Sequence, residues 1–278
     1  MDLQGKTAII TGAGTGVGRH LALGFSQAGA KVVCCGRRAD RLNETLGLVQ
    51  AQGGQGLAIP LDVTLPAQVD ALVQTTLAAY GQIDLLFNNA GSFQSVAPVW
   101  EVDPATWWRD VTTNLYGSML CCRAVLPHMM ARNEGIIINM DGGGGSNGPN
   151  IAGSAYGCSK AALLRFSEGL ARELEIAGSK VLVFCMNPGF VHTEMTENIV
   201  STPTGRQWQG FVKDWIDKGI GAQPDDCARA TLKLLPIASP ELNGRCFGVD
   251  TDFAAVERRK TEIQAENLYV LRLKTLKG

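Results

Sequence analysis

The sequence predicts an α/β protein: a doubly wound parallel sheet of about seven strands flanked by helices, in a single domain. Three observations predict it. Short apolar runs alternate with longer amphipathic stretches along most of the chain, the pattern of repeated β-α-β units. Several apolar runs are nearly continuous, as at Ile136-Ile137-Ile138, which suits strands covered on both faces. A glycine-rich turn joins the first apolar run to the first amphipathic stretch.

The expected strands are Thr7–Thr11, Lys31–Gly36, Gly56–Pro60, Ile83–Asn88, Gly135–Met140, Lys180–Asn187 and Arg245–Asp250. Helices fill the intervals, most clearly Leu65–Tyr80 and Pro104–Met130. Two stretches leave the alternation. Thr193–Gly221 is a long excursion carrying Trp208, Phe211 and Trp215; it reads either as a lid over an apolar ligand or as a surface helix packed on the core. Phe253–Gly278 has apolar spacing through Val256, Ile263, Leu268 and Leu271 and reads as a helical tail. The expected organisation is a body over residues 1–250 with the 193–221 insertion as a substrate lid, then a tail over 251–278.

With 278 residues, 45% hydrophobic and 18% charged, the chain has ample material for a buried core. Its net charge of −1, from 25 basic and 26 acidic residues, gives no general attraction to nucleic acid or anionic lipid. The start, Met1-Asp2-Leu3-Gln4-Gly5-Lys6, has no signal-peptide pattern, and no apolar stretch reaches membrane-spanning length. The eight cysteines include neighbours Cys34-Cys35 and Cys121-Cys122 but no C-x-x-C spacing. Buried thiols in a reducing cytoplasm are expected, without metal or disulfides.

The turn Thr11-Gly12-Ala13-Gly14-Thr15-Gly16-Val17-Gly18 ends a strand and opens a helix. Glycines there allow a tight turn and close approach of backbone to a pyrophosphate, and the helix start offers free N–H groups and partial positive charge. Gly12, Thr15, Gly16, Val17 and Gly18 are the candidate phosphate-binding residues of a Rossmann-type site. The second strand ends Gly36-Arg37-Arg38, with no carboxylate for a ribose 2′-hydroxyl. Two guanidiniums there suit a 2′-phosphate, because the planar fork donates paired hydrogen bonds. NADP(H) is the expected cofactor.

Taken with Asp62-Val63, Asn88-Asn89-Ala90-Gly91, Asn114, Tyr156-x-x-x-Lys160 and Asn187-Pro188-Gly189-x-x-x-Thr193, the chain resembles the short-chain dehydrogenase/reductase family over at least residues 3–250. The resemblance implies that Asp62 and Val63 contact the adenine and that Asn89, Ala90 and Gly91 line the cofactor channel. It implies that Pro188, Gly189, Thr193 and the backbone near Phe190 and Val191 hold the nicotinamide end. It implies Tyr156 as acid/base, Lys160 on the nicotinamide ribose, and Asn114 as anchor of a proton-relay water. It suggests a dimer or tetramer packed through the Pro104–Met130 and Ala155–Ile176 helices.

These residue types suit carbonyl reduction, which needs a proton for the developing alkoxide. A tyrosine pKa of about 10 must fall by about 3 units for the phenolate to serve as a base near neutrality, worth roughly 4 kcal/mol. Lys160, one helical turn from Tyr156, is expected to supply part of it.

The family pattern is broken in one place. Its serine after the fifth strand is replaced within Asn139-Met140-Asp141-Gly142-Gly143-Gly144-Gly145-Ser146. The serine's place falls on Asp141 or on Gly142–Gly143, and Asp141 or Ser146 is the candidate substitute donor. The leading expectation is an NADPH-dependent reductase of an apolar or aromatic ketone, or the reverse alcohol oxidation. The rivals are non-redox chemistry (cyclisation, dehydration or isomerisation) with Asp141 as acid/base, and an NADPH sensor without catalysis, for which Tyr156 and Lys160 would be superfluous.

Overall fold

The computed structural model describes residues 1–273. The strands are β1 (Thr7–Thr11), β2 (Lys31–Gly36), β3 (Gln55–Pro60), β4 (Leu85–Asn88), β5 (Ile136–Met140), β6 (Leu182–Asn187) and β7 (Cys246–Gly248). All pair in parallel, in the order β3-β2-β1-β4-β5-β6-β7. The strand order reverses direction between β1 and β4, and in open sheets of this kind the carboxyl ends at that point leave a crevice for ligands.

The continuous apolar strands are explained by two core layers. Adjacent Ile9 and Ile10 on β1 are both fully buried, yet they enter opposite layers. Ile10 joins Phe25, Phe87, Phe184 and Phe247 on one face, and Ile9 joins Val33, Leu86, Val125 and Ile137 on the other. Each such fully buried side chain contributes about 1.5–3 kcal/mol relative to exposure.

The helices are α1 (Gly16–Gln27), α2 (Ala39–Ala51), α3 (Pro66–Tyr80), α4 (Pro104–Val111), α5 (Gly117–Arg132) and α6 (Ser154–Ile176), followed by α7 (Glu194–Ser201), α8 (Pro203–Asp217) and α9 (Asp226–Ile237). The chain then forms α10 (Phe253–Arg258) and α11 (Lys260–Ala265). Several sequence expectations are corrected here. The stretch Pro104–Met130 is not one α-helix: a π-helical turn at Thr112–Tyr116 divides α4 from α5 and buries Asn114. Such widened turns recur at functional sites. The tail is two short helices broken at Arg259, where the backbone leaves helical angles, and residues 274–278 of the expected helix lie outside those described. β4 starts two residues late because the Asp84 carboxylate, rather than a ladder carbonyl, accepts the Thr7 N–H. The cysteines are buried except for exposed Cys158 and half-buried Cys246.

The 193–221 insertion is helical. Ile199 of α7 and Val212 of α8 pack with Phe93, and Tyr156, Phe190 and Met195 lie against that cluster. Inside α8, Gln209 departs from helical geometry at φ −128°, ψ 33°. Its buried amide is drawn out of the helix to Asn150 Oδ1 at 2.9 Å and the Ile151 carbonyl at 2.7 Å. The kink therefore ties the insertion to the loop that follows β5.

Candidate active site

The turn after β1 is built by close backbone approach. Gly12 has φ +66°, and a Cβ there would stand 2.9 Å from Ala90 Cα. A Cβ on Gly18 would stand 2.2 Å from the Gly12 carbonyl oxygen, so only glycine fits. Thr11 Oγ1 accepts the N–H groups of Asn89 and Ala90 at 3.0 and 2.8 Å, while Asn89 Nδ2 donates to the Thr11 carbonyl at 2.9 Å. These bonds lock Asn89-Ala90-Gly91 beside the turn. Helix α1 has no side-chain cap at its N-terminus, so its first-turn N–H groups face the crevice unclaimed by side chains, a setting that suits a phosphate. Val17 packs at the edge of the core. The cradle fits a dinucleotide pyrophosphate.

At the carboxyl end of β2, Arg37 and Arg38 are both exposed. Arg37 forms no ion pair among the described residues. Arg38 pairs with Glu194, and its Nη2 also donates to Thr15 Oγ1 at 3.2 Å. Asp62 accepts the Thr64 N–H and hydroxyl at 2.9 and 2.7 Å through one oxygen. Val63 is buried under Gly117, where a Cβ would come within 2.6 Å. At the other end of the groove, Gly189 takes φ +68° with its N–H held by Asn187 Oδ1 at 2.9 Å. Pro188 is half-buried beside it, Val191 is buried, and Thr193 caps α7 and lies 3.2 Å from where a Gly16 Cβ would stand.

Tyr156 and Lys160 share one face of α6, with Lys160 Nζ 5.5 Å from the tyrosine ring centroid. Lys160 is buried and donates to the Met140 carbonyl at 2.7 Å. Burial lowers its pKa to about 8, opposed by the charge of Asp141. Burial pushes the Tyr156 phenol up, and the carboxylates of Asp141 and Asp110 add to the rise. The expected lowering of Tyr156 by Lys160 is therefore reversed in the free protein: the ammonium turns to Met140, and burial dominates. The raised pKa favours the protonated phenol.

Gly142 occupies the position facing that phenol, since a Cβ built there would lie 2.4 Å from Tyr156 Oη. Of the places open for the missing serine, this is the one whose side chain would meet Tyr156. Asp141 and Ser146 instead bond each other. Ser146 Oγ donates to Asp141 Oδ2 at 2.6 Å, and Asn187 Nδ2 donates to Asp141 Oδ2 at 3.1 Å and to Ser146 Oγ at 3.0 Å. The other Asp141 oxygen is buried without a hydrogen-bond partner. This cluster closes the glycine run back onto β6.

Asn114 donates to the Ser92 carbonyl at 3.0 Å and to Ser159 Oγ at 2.9 Å, and accepts the Ser92 N–H at 2.7 Å. Ser159 Oγ in turn donates to the Tyr156 carbonyl at 2.7 Å, linking Asn114 to α6. Three contributors escaped sequence reasoning. Asp110, fully buried one turn before Asn114, accepts from the Ser92 hydroxyl, the Gln94 and Ser95 N–H groups, and the Ser95 hydroxyl. It fixes the loop after β4, and nothing local in the sequence marks it. Phe93 on that loop stacks on Tyr156, with centroids 4.6 Å apart and planes inclined by 20°. Gln209 anchors the insertion, as described above. No cluster of metal-ligating residues occurs among the described residues.

The chain matches the family model for short chain dehydrogenases over residues 6–204. It is 38% identical over 195 residues to a short chain dehydrogenase of Pseudocercospora fijiensis, covering 70% of this chain and 62% of that relative's length. It is 32% identical over 253 residues to the (2S)-[(R)-hydroxy(phenyl)methyl]succinyl-CoA dehydrogenase subunit BbsD of Thauera aromatica, covering 90% of this chain and 96% of the relative. Among solved structures it resembles a candidate NAD(P) dependent gluconate 5-dehydrogenase from Beutenbergia cavernae with bound NADP, at low occupancy. That likeness has a TM-score of 0.76 and 30% identity, over 91% of this chain and 98% of the other. The chain belongs to the short-chain dehydrogenase/reductase family.

Proposed function

We propose that this short-chain dehydrogenase/reductase reduces the ketone of an apolar or aromatic small molecule with NADPH, or oxidises the corresponding secondary alcohol. The observation that carries the reading is the placement of a half-buried Tyr156, stacked on Phe93 and one helical turn from Lys160, at the end of a dinucleotide groove walled by Phe93, Phe190 and Met195. A bound NADPH would supply the hydride. The chain's own residues do the rest. The glycine turn and α1 hold the pyrophosphate, and Arg37 and Arg38 receive the 2′-phosphate. Tyr156 Oη gives its proton to the carbonyl oxygen as negative charge develops there. Lys160 holds positive charge beneath it, and Asn114 with Ser159 fixes the helix turn that carries both. The aromatic wall excludes water and accepts a flat apolar substrate.

The NADP found with the Beutenbergia structure supports the cofactor assignment by analogy, and the phenyl group in the BbsD substrate name supports the substrate class in the same way. Non-redox chemistry through Asp141 has less behind it: Ser146 and Asn187 engage its Oδ2, and the position that faces the phenol is Gly142. We further infer pairing of subunits through α5 and α6. Their outer faces form an apolar groove lined by Met119, Leu126, Pro127, Met130 and Phe166, and light scattering of the purified protein tests it. The functional test is incubation with NADPH and a panel of aryl and aliphatic ketones, following absorbance loss and product mass together. Loss of NADPH matched by alcohol formation is expected. Product formation without NADPH consumption would replace the reductase reading with a non-redox one.

A further inference from the structure

Arg38 and Glu194 stand 156 residues apart in sequence, yet they meet as a two-pronged ion pair. Nη1 donates to Oε1 at 3.1 Å and Nη2 to Oε2 at 3.0 Å, while the same Nη2 reaches Thr15 Oγ1 at 3.2 Å. Three elements are thereby clasped: the glycine turn, the β2–α2 connection and the first residue of α7. Thr193, just before Glu194, closes on Gly16. The clasp lies where the phosphate-binding turn meets the insertion. Both partners are about half exposed, at 50% and 56%, so the pair is weak and open to exchange. A 2′-phosphate carries more charge and more acceptor oxygens than a carboxylate, and it competes well for the same guanidinium fork.

We propose that Glu194 is an internal stand-in for the cofactor's 2′-phosphate, holding Arg38 in the free protein and yielding it when the phosphate arrives. The exchange rests on the NADP(H) reading above and gives the phosphate a second role. Once Arg38 turns to the phosphate, Glu194 is left beside like charge, and the first turn of α7 is released. That helix carries Met195, whose Cε lies 3.8 Å from a Cβ built on Gly91 in the cofactor channel. It also carries Ile199, packed with Phe93 over Tyr156. NADH, lacking the phosphate, leaves the clasp shut. Glu194 is thus a specificity-determining residue that couples capture of the adenosine end to opening of the substrate end.

A calorimetric double-mutant cycle tests the exchange. Glu194→Gln should tighten NADPH binding two- to fivefold, since a weak competing ion pair is removed, and leave NADH binding unchanged. In an Arg38→Ala background the same substitution should change neither. Hydrogen exchange supplies a readout without nicotinamide: 2′,5′-ADP should speed exchange of the α7 amides, whereas 5′-AMP should not. In Glu194→Gln those amides should already exchange at the faster rate. Unchanged or weakened NADPH binding in Glu194→Gln would overturn the proposal, as would slower α7 exchange with 2′,5′-ADP. If the wild type binds NADPH and NADH equally, the NADP(H) reading fails and the exchange with it; an intact preference with a neutral Glu194→Gln removes the exchange alone.

Discussion

The two ends of the groove are made of different material. The nucleotide end is mostly backbone: glycines packed against carbonyls, free N–H groups at the start of α1, and one threonine joining two turns. The chemical end is mostly buried polar side chains, with Asp110, Asn114, Asp141, Ser159 and Lys160 each almost wholly removed from solvent. Backbone offers a fixed field at little electrostatic cost. Buried ionisable groups cost stability, and such local costs gather at functional sites. The nucleotide end should therefore respond to substitution mainly through affinity, and the chemical end through turnover and pH dependence.

The sharpest contrast falls on Lys160. Its pKa is lowered by burial to about 8 from an ordinary lysine value of 10.5. Between those values the unfolded chain binds more protons than the folded one, so stability rises with pH across that window. At neutral pH the full cost of the buried charge is present, amounting to about 3 kcal/mol. Lys160→Met should thus raise neutral-pH stability by up to about 3 kcal/mol, measured by urea unfolding. It should also flatten the rise of stability between pH 8 and 10 and remove most turnover. In the wild type, reduction should decline as pH climbs through about 8 and Lys160 loses its charge. A destabilised Lys160→Met protein would show that the buried ammonium is not a net cost to folding.

Arg37→Ala should act at the other end, weakening NADPH binding about ten- to a hundredfold with NADH binding and folding unchanged. Equal effects on both cofactors in a titration would deny the 2′-phosphate contact. Gly142→Ala is smaller. Its methyl group would press on Tyr156 Oη, and turnover should fall roughly tenfold at constant NADPH affinity, because small misplacements at the reacting atom are costly. The smallest change is expected for Asp141→Asn. The amide keeps an oxygen for the Ser146 hydroxyl, so turnover should stay within about fivefold of wild type, in keeping with a loop-holding role. Abolished turnover in steady-state assays of that variant would make Asp141 the acid/base instead.

Legibility in sequence follows the same division. The glycine turn, the Arg37-Arg38 pair and the Tyr156–Lys160 spacing are local, so one stretch of chain contains the whole requirement. The continuous apolar strands gave the two-sided sheet for the same reason. What sequence left open was long-range. The phenol faces Gly142 because α6 and the loop after β5 meet in space, and the run of glycines alone did not choose among Asp141, Gly142 and Gly143. The stacking of Phe93, the loop-fixing Asp110, the Gln209 anchor and the Arg38–Glu194 clasp each join segments distant in sequence or in neighbouring loops. The expected drop in the Tyr156 pKa failed because the four-residue spacing gives proximity to Lys160 but says nothing about burial or about the Met140 carbonyl.

The central claim, that Tyr156 passes a proton during NADPH-dependent carbonyl reduction, is tested most directly by comparing wild type with Tyr156→Phe. NADPH affinity is measured by calorimetry, and turnover by absorbance and product mass with a reactive aryl ketone. The ring and its stacking on Phe93 remain in the variant; only the hydroxyl, and with it the transferable proton, is lost. NADPH affinity should stay within about twofold of wild type, and turnover should fall by about a hundred- to ten-thousandfold. Wild-type turnover in Tyr156→Phe, with alcohol still formed at the expense of NADPH, would contradict that claim.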